Sequence, residues 1–123
     1  MGVQFTIDVR SRLVIVTFEG QNTVQEIVGL SSQLRSHPDF DPEFSEILDC
    51  TRITQSSMPS GAIRSLARGE SIYKPTSMHV VVAPHDHIFA LARMGQAFAE
   101  QTVPNIIVVR TMAEALNALN VKK

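Results

Sequence analysis

The stretch Met78-His79-Val80-Val81-Val82-Ala83-Pro84-His85-Asp86-His87-Ile88 decides the fold class. Three consecutive β-branched residues suit a central strand covered on both faces. Asp86 stands where a helix cap is wanted, and the residues after it place Ile88, Leu91, Ala92, Gly95, Phe98 and Ala99 on one stripe. A doubly covered strand that runs into an amphipathic helix is a βα unit, and βα units predict a largely parallel sheet.

Working outward, the same grammar repeats. Downstream, Pro104-Asn105 marks a turn and Ile106-Ile107-Val108-Val109 is a further strand. Thr111-Met112-Ala113-Glu114 is a capping box that opens a short last helix, and Val121-Lys122-Lys123 reads as a frayed tail. Upstream, Phe44 to Cys50 is an apolar run bounded by turn signals and reads as a buried strand, with Thr51 to Ser57 a polar loop. Met58-Pro59-Ser60-Gly61 opens a helix with proline in its first turn, Ile63, Leu66 and Ala67 facing inward. Lys74-Pro75-Thr76 closes that unit.

Further back, Thr23-Val24-Gln25-Glu26 is another capping box, followed by Ile27, Val28, Leu30 and Leu34 at helical spacing. The prolines of His37-Pro38-Asp39-Phe40-Asp41-Pro42 end that helix. At the start, Val3, Phe5, Ile7 and Val9 alternate with polar residues, and Leu13 to Gly20 resumes after Arg10-Ser11-Arg12. Two such runs around a polar link predict an antiparallel hairpin, the first strand near an edge with one face wet. The expected order is ββαβαβαβα in one domain spanning 1–123: an α/β fold with a mixed, mostly parallel five-stranded sheet and packed helices.

Composition excludes several functions. Of 123 residues, 44% are hydrophobic and 19% charged, too apolar for a disordered chain. The single cysteine, Cys50, rules out an intramolecular disulfide and a cysteine cage, and its apolar neighbours predict a small buried hydrophobe. A net charge of -1, with arginines scattered among acids, gives no basic face for nucleic acid. The first residues alternate like a strand instead of forming a leader, and no apolar run approaches the ~20 residues that span a bilayer. The expected location is the cytoplasm.

The hairpin, the helix ending in His37-Pro38-Asp39-Phe40-Asp41-Pro42, the strand ending in Leu48-Asp49, Val82-Ala83-Pro84 with Leu91-Ala92-Arg93-Met94, and the final Ala113-Glu114-Ala115-Leu116 together resemble the SpoIIAA-like family of bacterial proteins. That family is related in fold to STAS domains, the anti-sigma-factor antagonists. The resemblance covers nearly the whole chain and implies a SpoIIAA/STAS-like fold while saying little about activity. In STAS antagonists a serine or threonine at the start of the helix after the central strand is phosphorylated, where free amides favour a phosphate. Here Asp49 matches the strand-ending aspartate and Ser60-Gly61 loosely matches the Ser-Gly, but the acidic residue before the serine is missing. Ser57 and Ser60 are the phosphoacceptor candidates this implies; the competing role for Ser57 is a plain helix cap.

Ligands on open α/β sheets lie outside the carboxyl ends of the parallel strands. Two loops belong there: Asp49 to Ser60, with Asp49, Thr51, Ser57 and Ser60 as contact candidates, and Pro84-His85-Asp86-His87. His85, Asp86 and His87 suit a helix cap with two solvated imidazoles, an anion grip, or, with more ligands, a metal or acid–base site. No His-Glu-x-x-His, Gly-x-Ser-x-Gly, P-loop or Gly-x-Gly-x-x-Gly occurs, so no catalytic residue, metal or cofactor is assigned. The leading expectation is a non-enzymatic regulatory or binding module that docks a protein partner or holds a small apolar or anionic ligand at these loops. A homodimer is compatible with it, and the apolar residues Ile63, Leu66, Ile72 and Tyr73 are a second candidate partner face. A phosphorylation switch and an enzyme or metal site on His85-Asp86-His87 are the alternatives.

Overall fold

The computed structural model describes residues 2–20, 24–53, 72–99 and 105–121. The alternation at the start builds the expected hairpin: β1 (Val3–Asp8) runs antiparallel to β2 (Leu13–Glu19), with Val3 opposite Phe18 and Asp8 opposite Leu13. Val3, Phe5 and Ile7 pack on the core, whereas Gln4, Thr6 and Asp8 are exposed. The Asp8 carboxylate accepts from the Ser11 amide at 3.2 Å and the Ser11 hydroxyl at 3.0 Å, and these bonds hold its carboxyl below the usual range. Arg12 then closes the turn in the left-handed region, φ 54°. Val9, expected in the strand, falls in this turn and is 54% exposed.

Three parallel strands follow: β3 (Ser45–Arg52), β4 (His79–Val82) and β5 (Ile106–Val109). The sheet order is β1-β2-β3-β4-β5, with only the first pair antiparallel. Three helices are described: α1 (Val24–Ser36), α2 (Asp86–Phe98) and α3 (Met112–Ala118). The architecture is therefore α/β with a mixed five-stranded sheet. The helix expected from Met58 and the Thr23 capping box lie outside the described residues.

β3 corrects one boundary. Thr51 was expected in a loop, yet the strand continues through Thr51 to Arg52. Arg52 pairs in register with Glu19 across a shift in the ladder, and its carbonyl accepts from the Gly20 amide at 3.2 Å. Backbone pairing with a long neighbour outweighs the polar side chains.

The period of two sorts the strands into two cores. Val14, Val16, Phe18, Leu48, Cys50, Val81, Ile106 and Val108 face α1 and α2, which contribute Leu30, Leu34 and Ile88. Leu13, Ile15, Ile47, Val80, Val82, Ile107 and Val109 face α3, whose Ala115 is fully buried. α3 starts as its sequence requires: the Thr111 hydroxyl accepts from the Glu114 amide at 3.1 Å, and Glu114 accepts from the Thr111 amide at 3.0 Å. No helix among the described residues is long and apolar enough to cross a membrane.

Candidate functional site

The parallel strands deliver their carboxyl ends to one edge of the sheet. Asp49 on β3 is the register partner of Val82 on β4, which in turn pairs with Val109 on β5. Both expected loops therefore leave from adjacent strands. Asp49 Oδ1 accepts from the Thr51 amide at 2.9 Å and the Thr51 hydroxyl at 2.7 Å, so these two residues satisfy each other locally. Ser57 and Ser60 lie outside the described residues.

At the next strand end the expected cap is corrected. His85 holds the N-cap position of α2 with extended backbone, and no side chain caps the helix there. Asp86, expected to cap, is the first helical residue, and its carboxylate instead accepts from Arg110 Nη1 at 2.8 Å. Pairing with a full cation replaces the bond to a backbone amide, and a carboxylate in the first turn still complements the helix dipole. The same Nη1 donates to the Pro84 carbonyl at 3.3 Å, and the guanidinium lies over the Phe89 ring, 3.9 Å from its centroid. Arg110 is thereby held by three partners while its side chain stays 43% exposed.

His85, Asp86 and His87 are all exposed, and among the described residues no hydrogen bond joins them to Asp49 or Thr51. Nor do three or more His, Cys, Asp or Glu side chains among the described residues gather so as to hold a metal. Cys50 is buried, and burial with the neighbouring Asp49 charge pushes its thiol up to about 12, far from a thiolate nucleophile. Arg110 and Phe89 escaped the sequence reading. The available signal was a lone cation set directly behind the apolar run Ile106–Val109.

The opposite end of the sheet carries a second polar group that sequence reasoning also missed. Glu46 and His79 are register partners on β3 and β4, and their side chains meet at 2.9 Å between Oε1 and Nδ1. Tyr73 donates its hydroxyl to Glu46 Oε2 at 3.0 Å and sets its ring edge-on to His79, with centroids 4.8 Å apart. The imidazole and carboxylate side chains are only 7% and 13% exposed. Burial, with the Glu46 charge next, pushes the Tyr73 hydroxyl up, so it remains a donor. Of the expected partner face, Ile72 and Tyr73 are half-buried against the main core, and Ile63 and Leu66 lie outside the described residues. A carboxylate and an imidazole inside two runs otherwise fit for burial were the legible sign that they must pair.

No protein-family model matches this chain, and no curated protein matches it.

Proposed function

We propose that this chain is a non-enzymatic regulatory or binding module of the SpoIIAA/STAS-like type its sequence resembles, and that it receives an anionic group of a protein partner or small ligand at the C-terminal edge of the sheet. The observation that supports this reading is Arg110, fixed by Phe89, Asp86 and the Pro84 carbonyl beside the side-chain-uncapped start of α2. An oriented guanidinium keeps donors for a carboxylate or phosphate, and the first amides of a helix add donors of the same sense. His85 and His87, exposed on the same turn, flank that position.

Titration with inorganic phosphate, followed by amide chemical shifts, tests the reading. Shifts confined to residues 85–88 and 110, absent in Arg110→Ala and weakened in Arg110→Lys, are expected. Unmoved amides in the wild type at millimolar phosphate would refute it.

A further inference from the structure

The two edges of the sheet are finished differently. On β5 the ladder bonds His79 N–H to Asn105 C=O and Ala83 N–H to Val109 C=O fix residues 105, 107 and 109 toward β4. Ile106 therefore points its carbonyl outward, and Gln96 Nε2 of α2 donates to it at 2.7 Å. On β1 the Glu19 N–H to Gly2 C=O bond at 2.7 Å sets the opposite phase. Even-numbered residues face β2, so Val3, Phe5 and Ile7 direct their amides and carbonyls away from the sheet. Among the described residues no strand pairs with this edge.

Nothing in β1 discourages a strand from adding there. Its six residues pair with β2 without a bulge and include no proline, lysine or arginine, the devices by which exposed edges are blunted. Its order is also self-complementary. Val3-Gln4-Phe5-Thr6-Ile7 reads as β-branched, polar, aromatic, polar, β-branched, a palindrome in side-chain character about Phe5. Asp8 is the one charge in the strand.

We infer that β1 is a self-recognition edge, where a second copy of this chain adds antiparallel about a two-fold axis through Phe5. In that register Val3 faces the partner's Ile7, Phe5 faces its own counterpart, and Gln4 faces the partner's Thr6. About six backbone hydrogen bonds form, because residues 3, 5 and 7 all lie in bonded pairs. Asp8 falls opposite Gly2, so no like charges meet. The half-buried Val3, Phe5 and Ile7 gain cover on the α1 face, and the exposed Gln4 and Thr6 form a polar row on the other. An extended peptide from another protein would match the hydrogen bonds alone, whereas a second copy matches the side chains as well.

Sedimentation velocity over a concentration series tests the inference, with charge pairs built on the exposed row. The wild type is expected to shift from monomer to dimer as concentration rises. Q4K/T6K sets lysines against lysines across the axis and is expected to remain monomeric, while Q4K/T6E sets opposite charges together and is expected to restore the dimer. Thermal melting of each variant that matches the wild type at dilutions where all are monomeric shows that the fold is intact, since both side chains are exposed. A wild type that is monomeric throughout, or a dimer indifferent to Q4K/T6K, overturns the inference.

Discussion

The two ends of the sheet present polar groups under opposite conditions. At the amino ends of β3 and β4, Glu46, His79 and Tyr73 are screened from water and bonded to one another. At the carboxyl ends, Arg110 and Asp86 pair in the open, with the Asp86 side chain 95% exposed. The chemistry on paper is similar, a carboxylate with a basic partner. The energetics are not. A buried pair is costly to break because the survivor is left charged or unbonded out of water, whereas an exposed pair is replaced by solvent. The sheet thus carries a shielded pair at one end and a solvent-exposed pair at the other.

The comparison breaks most sharply at Glu46. Glu46→Ala leaves His79 and the Tyr73 hydroxyl without their shared acceptor, and a loss of about 3–4 kcal/mol in urea unfolding is expected. Alkali should act next, on the buried core below the carboxyl end of β3. The folded Cys50 thiol stands near 12 against a reference of 9.0, so above pH 9 the unfolded chain loses a proton that the folded chain keeps. Stability therefore falls from about pH 9 towards 12, with a limiting slope for this one group of about 1.4 kcal/mol per pH unit. Tyr73, also shifted up, adds loss above its ordinary value near 10. A Cys50→Ala variant followed by chemical denaturation across this range should show a shallower decline.

Tyr73→Phe removes one of the two donors to Glu46 and keeps the ring against His79 and Phe40; about 1–2 kcal/mol should be lost. Thr111→Ala, which deletes the cap of α3, should cost about 1 kcal/mol by the same measurement. Asp86→Ala closes the series with less than about 1 kcal/mol. If Asp86→Ala destabilises as much as Glu46→Ala, the contrast between the ends fails.

Much of the architecture was written locally. The β-branched run Val80-Val81-Val82, the alternation of Val3 to Ile7 and the Thr111-Glu114 capping box each depend on neighbours a few residues away, and each forms as read. The sites were harder because their bonds are long-range. Arg110 reaches Asp86 across 24 positions, and His79 reaches Glu46 across 33. Asp86 shows the limit most directly. Its position matched a capping preference, but the arginine that claims its carboxylate is set by the adjacency of β4 and β5, which no local pattern carries. The end of β3 was misplaced for the same reason, since Thr51 and Arg52 are held in the strand by β2.

Gln96 has a consequence beyond its own hydrogen bond. A sheet with two bare edges can join head to tail without limit, and such heterologous growth ends in fibres. By occupying the Ile106 carbonyl, a single amide from α2 makes addition at β5 conditional on its displacement. In the proposed pairing at β1 a two-fold axis uses up the site it creates, whereas addition at β5 must first displace Gln96. For that proposed assembly, one side chain on a helix favours a closed pair over an open chain.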